Sequence, residues 1–184
     1  PWARIVLRDG DAASETFELS SRDELLPGRS LGVQLGYASQ EELVFEGLIV
    51  KHGIRIDERH GSVLVLECRD PAVAMTAARR SACYLDQTDS DVMETLVQNA
   101  GLQAEIESTE TVHEELVQYR ATDWDFLMSR ADAAGLVVLV EEGTVRVLWP
   151  DLAGEPDLRL QYGETIYERD AEIDARNQFA GVRA

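Results

Sequence analysis

The chain has 184 residues, of which 17 are Lys or Arg and 35 are Asp or Glu, so its formal net charge is −18. About 45% of the residues are hydrophobic, an ordinary globular balance that excludes a disordered acidic tail. An acidic chain lacks the cations needed to bind nucleic acid without sequence preference or to dock on anionic lipid. No apolar run reaches the ~18 residues of a membrane-spanning helix, so we expect neither nucleic-acid binding nor membrane insertion.

Short strands punctuated by glycine are predicted for residues 1–70. Residues 31–37 alternate between apolar and small or polar side chains, as a strand with one buried face does. Residues 43–51 are apolar on both faces, and Gly47 interrupts them as a bulge or tight bend would. Gly53 breaks the pattern again before residues 63–68 form another apolar strand. Such bent strands predict a barrel-like β module.

The two cysteines, Cys68 and Cys83, are far apart and form no CxxC pattern. A disulfide framework is therefore not expected. Cys68 lies within the apolar run 63–68, where a free cysteine behaves as a small buried hydrophobic residue.

Residues 71–150 are predicted to form an α/β element. Asp70 and Pro71 have the residue types of an N-cap and a first helical position, so a short Ala-rich helix should run to about residue 80. A hairpin is expected further on, with strands at 137–141 and 144–149 joined by a Glu-Gly turn.

Between these features, two helices that resemble each other are predicted. Thr88 and Thr122 open them, and each has an Asp three residues later, close to a capping box. Gly101 and Gly135 end them. The 34-residue offset is that of some helical repeats. However, each copy holds one helix followed by a strand-like run, so two packed helix–strand units are the better interpretation.

Each helix has an apolar stripe at helical spacing, which predicts a face buried in the core. In the first helix the stripe comprises Val92, Met93, Leu96, Val97 and Ala100, and in the second Trp124, Leu127, Met128 and Ala131. Trp124 and Phe126 could instead form a stacking platform for a sugar or a base. Because Trp124 lies on the stripe, we predict that its indole is buried in the core.

Residues 151–184 are predicted to be a linker followed by the start of a second, truncated β module. Gly and Pro mark the linker at 151–156, and strand-like patterns resume at 158–162, 165–169 and 177–184. The chain begins at Pro1 rather than Met and stops within a strand-like stretch. We therefore expect it to be a piece of a longer polypeptide.

The chain shows few patterns that are typical of chemistry. His52, His60 and His113 lack metal-ligand spacing and are predicted to be solvated surface residues. No nucleophile or phosphate-binding motif occurs. We expect no catalytic residue, no metal and no cofactor, which favours a structural or assembly role.

Close carboxylate pairs are common, as 35 acids in 184 residues would give by chance. They are Asp9 with Asp11, Asp89 with Asp91, Glu114 with Glu115, and Asp123 with Asp125. Helix capping already explains the second and fourth pairs. Asp9-Gly10-Asp11 resembles the start of a calcium loop but lacks its further oxygen ligands and closing Glu.

One block of residues resembles the helix signature of VgrG-like and phage late-control-protein-D-like baseplate hub proteins. Those proteins belong to contractile phage tails, type VI secretion systems and extracellular injection particles. The matching residues are Asp123, Trp124, Asp125, Phe126, Leu127, Arg130 and Gly135. Residues 43–49, with Gly47, also resemble the family's "LF.G.I" strand, and the likeness extends from about residue 36 to the C-terminus.

The resemblance implies a β-rich α+β hub domain, with barrel-like β modules and an inserted α/β element. Three copies would form a ring that joins a tail tube to a spike, with tail-tube, spike and baseplate proteins as partners. The family's downstream oligosaccharide/oligonucleotide-binding-fold module and β-helical spike are not in this chain. The resemblance further implies a non-enzymatic component, assembled in the bacterial cytoplasm and delivered outside as part of a virion or injection particle.

Two other functions remain open from the sequence. The chain could be a tail-associated hydrolase module that cleaves peptidoglycan or polysaccharide with an acid pair. It could also be a free-standing acidic module that captures a basic partner.

Overall fold

In the computed structural model, the described residues are 1–11, 13–37, 40–57, 61–151, 153–154 and 158–173. The chain divides into two compact units, Pro1–Pro150 and Asp151–Ala184. The elements of the first unit, in chain order, are β1 (Trp2–Arg8), a 3₁₀ helix (Asp23–Leu25), β2 (Ser30–Tyr37), β3 (Gln40–Asp57), β4 (Gly61–Arg69), a second 3₁₀ helix (Pro71–Thr76), β5 (Arg79–Thr88), α1 (Asp89–Asn99), β6 (Gln103–Ile106), β7 (Val112–Thr122), α2 (Asp123–Ala134), β8 (Val137–Glu141) and β9 (Thr144–Leu148).

The first four strands form an antiparallel sheet in the order β1-β4-β3-β2. Within the described residues this sheet is open, since β1 and β2 lie at its two edges and do not pair with each other. The expected closed, barrel-like module is therefore corrected to an open sheet. Four strands enclose too little space for a filled interior, since closure around packed side chains needs about five strands or more.

Strand β3 is one continuous element, whereas the sequence predicted a bulge or tight bend at Gly47 and a break at Gly53. The pairing register shifts at Val44, against β2, and at Val50, against β4, so the bulges lie on either side of Gly47. Gly47 itself pairs regularly with Leu31. Its lack of a side chain serves a close approach instead, because an added Cβ would overlap a backbone carbonyl of β4 and the Phe45 ring.

One side of this sheet carries the smaller of two apolar cores in the first unit. Ile49, Leu64, Leu66 and Cys68 are buried there, with partly buried residues of β1, β2 and the first 3₁₀ helix packed on them. The predicted burial of Cys68 is confirmed, and neither cysteine forms a disulfide.

The predicted Ala-rich helix is a shorter 3₁₀ helix, Pro71–Thr76. Asp70 does cap it, since its Oδ1 accepts a hydrogen bond from the Ala72 amide at 2.9 Å. By residue 79 the chain has already entered β5, which pairs with β7. The tertiary pairing of β5 therefore overrides the helix propensity of the alanines.

Residues 79–148 form two strand–helix–strand units, β5-α1-β6 and β7-α2-β8, with β9 after the second. The leading strands β5 and β7 pair antiparallel, and the trailing strands β6 and β8 lie on either side of β9. The predicted pair of helix–strand units and the Glu142-Gly143 hairpin are confirmed. The long strands β5 and β7 that precede the helices were missed.

The larger core lies between the two helices and the strands around them. Its fully buried helical residues include the stripe predicted for α1. The stripe comprises Val92, Met93, Leu96 and Val97, with Ala100 partly buried.

In the second unit the described residues contain a single isolated bridge, between Tyr162 and Ile166, and no extended strand. The strands predicted at 158–162 and 165–169 are therefore wrong, and the predicted strand at 177–184 lies outside the described residues. No helix in the part of the chain that the structure describes is long and apolar enough to cross a membrane.

Candidate functional site

The two helices begin with equivalent caps. The Thr88 and Thr122 hydroxyls accept hydrogen bonds from the amides of Asp91 at 3.1 Å and Asp125 at 3.0 Å. In α1 the Asp91 carboxylate completes the capping box by accepting from the Thr88 amide at 3.1 Å, and the hydrogen bonds from Thr88 lower the pKa of Asp91. At the other end of α2, Gly135 adopts φ = 74°, the left-handed conformation that favours glycine.

Asp123, the first residue of α2, ties that helix to both strands of the β5–β7 ribbon. Its Oδ1 accepts hydrogen bonds from Arg80 Nε at 2.6 Å and from Gln118 Nε2 at 2.9 Å. Gln118 is fully buried, and its Oε1 accepts a hydrogen bond from the Tyr84 hydroxyl at 3.1 Å. A continuous polar chain thus fixes the start of α2.

Asp89, the first residue of α1, occupies the equivalent position and joins three elements. Its Oδ1 accepts a hydrogen bond from Arg130 Nε of α2 at 2.5 Å, and its Oδ2 lies 3.0 Å from His113 Nε2 of β7. The Asp89 side chain is only 8% exposed and that of Arg130 20%. Burial raises the pKa of Asp89, but the hydrogen bonds from Arg130 and His113 outweigh it and hold this pKa below its usual value.

This arrangement corrects two predictions. Asp89 does not cap α1, because Thr88 and Asp91 form the capping box. His113 is a partly buried partner of Asp89 rather than a solvated residue. The sequence did contain one usable signal for these contacts. Asp89 and Asp123 lie at equivalent positions of the two units, and each accepts a hydrogen bond from an arginine side chain.

The apolar residues of α2 are buried in a pattern that differs from the predicted stripe. Leu127 and Ala131 are buried as expected, and so is Phe126, whose ring stacks on that of Tyr84 at a centroid distance of 6.0 Å. Met128 is 39% exposed, so its predicted burial is wrong. The buried face of α2 is rotated toward Phe126 because the β5–β7 ribbon covers that side of the helix. The sequence did not predict this ribbon.

The Trp124 indole is partly buried rather than enclosed. It packs on the larger core and also lines an open cleft of about 450 Å³ beside the second 3₁₀ helix. Among the lining residues Asp70 is the one carboxylate, and its oxygens accept hydrogen bonds from the amides of Ala72 and Gly143. Two opposed acids, which a glycosidase would need, are therefore not brought together at this cleft.

The remaining candidate polar residues organise loops. The Asp9 carboxylate is buried and accepts hydrogen bonds from the amides of Leu19 at 2.8 Å and Ser20 at 2.7 Å. Burial raises the pKa of Asp9, but these amides lower it by more, so the net shift is downward. His52 is also not a solvated residue, since its Nδ1 lies 2.9 Å from the Leu25 carbonyl oxygen. His60 lies outside the described residues.

No group of three or more His, Cys, Asp or Glu side chains within the described residues is placed to hold a metal ion. The residues that carry the family resemblance therefore make contacts within the domain itself. Asp123 and Arg130 pair with neighbouring elements, Phe126 and Leu127 fill the core, and Gly135 ends the helix.

Three solved structures share this fold over most of the chain. The 43 kDa tail protein of prophage MuSo2 from Shewanella oneidensis matches 80% of this chain and 44% of its own, with a TM-score of 0.60 and 12% identity. The tail protein from Neisseria meningitidis MC58 matches 86% of this chain and 55% of its own, with a TM-score of 0.58 and 22% identity. The E. coli c3393 protein matches 84% of this chain and 43% of its own, with a TM-score of 0.59 and 13% identity.

The c3393 protein is described as a component of the type VI secretion system, with structural similarity to the T4 bacteriophage tail proteins gp27 and gp5. The fold is therefore that of phage-tail and type VI secretion proteins, which confirms at the level of fold the resemblance seen in the sequence. The chain spans about half the length of the proteins it matches. It belongs to the family of the Alg8 N-terminal domain, whose model matches residues 1–184. No curated protein matches its sequence.

Proposed function

We propose that this domain is a structural hub component of a contractile injection machine, and that three copies form a ring joining the tail tube to the spike. This proposal rests on the contacts that the signature residues make within the domain. Asp123 fixes α2 to the β5–β7 ribbon, Arg130 joins α2 to α1, and the apolar residues pack in or on the core, so the signature preserves a shape. A domain that contributes shape to an assembly, and transforms no substrate, fits this pattern.

The tail-like fold supports the same role, because the relatives of known structure are tail and secretion proteins. The partners we propose are further copies of the chain together with tail-tube, spike and baseplate proteins. The net charge of −18 would keep a free subunit soluble in the cytoplasm until it is incorporated. The assembled particle would then carry the domain out of the cell.

Labelling of intact particles tests the proposal. An epitope tag would be placed at residues 13–15, which are exposed in the loop between the paired residues Asp11 and Thr16. Immunogold on purified particles should place the tag at the junction between tube and spike. Gold along the sheath, or particles that form normally without the gene, would contradict a hub role.

The alternative is a tail-associated hydrolase, and the open cleft beside Trp124 is the feature that makes it worth testing. Turnover of purified peptidoglycan would be measured for the wild-type chain and for Asp70→Asn, the change at the carboxylate that lines the cleft. A structural hub gives no turnover with either protein. Turnover that is lost in Asp70→Asn while the fold is retained would favour the enzyme.

A further inference from the structure

On the outer side of the first sheet, away from its core, positive charge is concentrated on β1, β4 and the part of β3 from Leu48 to Arg55, whereas Glu46 lies on the same side nearer β2. Residues directly opposite each other in an antiparallel pair point to the same side of the sheet. The pairing of β1, β4 and β3 therefore builds four cross-strand rows on this side. They are Trp2–Arg69–Leu48, Arg4–Glu67–Lys51, Val6–Val65–Gly53 and Arg8–Val63–Arg55, together called the basic face.

The net charge of the basic face is positive, whereas that of the chain is negative. This face holds five cations and one carboxylate, whereas the chain as a whole holds 17 cations and 35 carboxylates. All five cations are exposed. Lys51 pairs with Glu67 at 3.2 Å and Arg69 lies over the Trp2 ring at 5.9 Å. Cations opposite or diagonal to one another still repel, so the cluster as a whole adds little to the stability of the isolated sheet.

The basic face also presents apolar surface. The Trp2 ring is 64% exposed, and Val6, two rows further along β1, is also exposed. Val63, although on the outer side, is only 8% exposed, and Arg8 and Arg55 flank it on the two neighbouring strands. Exposed aromatic and aliphatic surface framed by arginine is the composition of a protein–protein contact.

The β6-β9-β8 sheet presents an exposed side of the other sign. Its outward rows are Gln103–Thr144–Glu141 and Glu105–Arg146–Leu139. Glu107, which follows β6, and Glu142, in the hairpin turn, extend them and are exposed. This acidic face holds four carboxylates and one cation, with exposed Leu139 and Val137 as its apolar part.

We propose that the basic face of one copy docks on the acidic face of a second copy. The inference rests on the proposed ring function, and it identifies the two surfaces through which neighbouring copies would be in contact. Contact between two different faces of identical subunits is heterologous, the type that closes into a ring when the rotation fits. Both faces combine apolar patches with charges of complementary sign, which sets orientation and speeds encounter. A nucleic acid is the poorer occupant, because the chain's net charge of −18 repels a polyanion.

Paired charge reversals test the docking. The basic-face variant is Arg4→Glu with Arg8→Glu, and the acidic-face variant is Glu107→Lys with Glu141→Lys. The control is Arg22→Glu, an exposed charge outside both faces. Sedimentation velocity over a range of concentration and salt would give the association constant of each protein, and circular dichroism would check that all four fold alike.

The wild-type chain and the control should associate, and rising salt should weaken the association. Each face variant should associate about tenfold or more weakly than the wild type. An equimolar mixture of the two face variants should recover a heterodimer, because each retains the face that the other has lost.

Association of both face variants at wild-type strength would overturn the docking proposal and leave the hub role, tested separately on particles, in place. Failure of the mixture to recover any heterodimer would also overturn it. So would a wild-type chain that stays monomeric but binds a short DNA duplex through the basic face.

Discussion

The ion pair between Arg130 and Asp89 joins the two helices, and its removal tests whether the signature arginine serves the fold. Arg130→Met keeps most of the apolar stem and removes the guanidinium. It leaves the Asp89 carboxylate, 8% exposed, with His113 as its remaining side-chain partner. We expect a large loss of stability from this single change.

The magnitude follows from burial. Breaking a fully buried ion pair costs about 3–5 kcal/mol, and breaking an exposed one about 0–1 kcal/mol. A fifth of the Arg130 side chain is accessible and His113 still donates to Asp89, so water and histidine recover part of the loss. The free energy of unfolding should therefore fall by about 2 kcal/mol, which lowers the melting temperature by about 4–8 °C in a domain of this size.

A double-mutant cycle with Asp89→Asn measures the pair itself. Urea unfolding of the four proteins, followed by tryptophan fluorescence, should give a coupling energy of about 1.5 kcal/mol. The matched control is Arg146→Met with Glu105→Gln, a pair in which both side chains are about half exposed. Its coupling should be no more than about 0.5 kcal/mol. Equal coupling in the two cycles would refute the reasoning from burial.

Three further predictions concern pH, the helix core and glycine. The pKa of Asp89 is lower in the folded state than in the unfolded state, so this residue stabilises the fold fully above pH ~4, and the contribution is lost as pH falls through the folded pKa. Acid titration of stability should be shallower in Asp89→Asn, and identical titration curves would contradict this. Leu127→Ala should cost about 2–5 kcal/mol in chemical unfolding and Met128→Ala less than about 1 kcal/mol, because Leu127 is fully buried and Met128 is not; equal losses would contradict the placement of α2. Gly47→Ala should lower the melting temperature by more than Gly135→Ala, which costs about 1 kcal/mol, because the first forces a steric overlap and the second only a strained φ; the reverse order would contradict the close approach at Gly47.

Features that depend on local sequence could be predicted well. Both helix starts follow from threonine side chains that accept hydrogen bonds from backbone amides three residues later. The two glycine ends and the hairpin turn follow from the positive φ angles of Gly101, Gly135 and Gly143. The stripe of α1 was also correct, because that helix packs on the core with the face that its apolar residues define.

Features that depend on distant pairing could not be predicted. Strands β5 and β7 carry mixed polar and apolar residues and gain their structure from pairing with each other, although α1 and β6 lie between them in the chain. Without this ribbon, the apolar stripe predicts Met128 rather than Phe126 in the core and His113 in solvent. The open sheet likewise differs from the predicted barrel, because the alternation of side chains within a strand does not indicate whether the two edge strands pair.

The signature was recognised from the sequence, but the contacts of its residues were not. Asp123 and Arg130 reach partners 43 and 41 residues away, at Arg80 and Asp89, and no local pattern specifies such pairs. The opposite signs of the two sheet faces were also hidden, because the face that a charge occupies depends on register.

The number of copies in the assembly tests the central claim, that this domain contributes shape to a multi-copy ring, most directly. Native mass spectrometry would be applied to the longest natural polypeptide that contains the chain, over a range of concentration. The account predicts a species of three copies. A single copy at every concentration would contradict it.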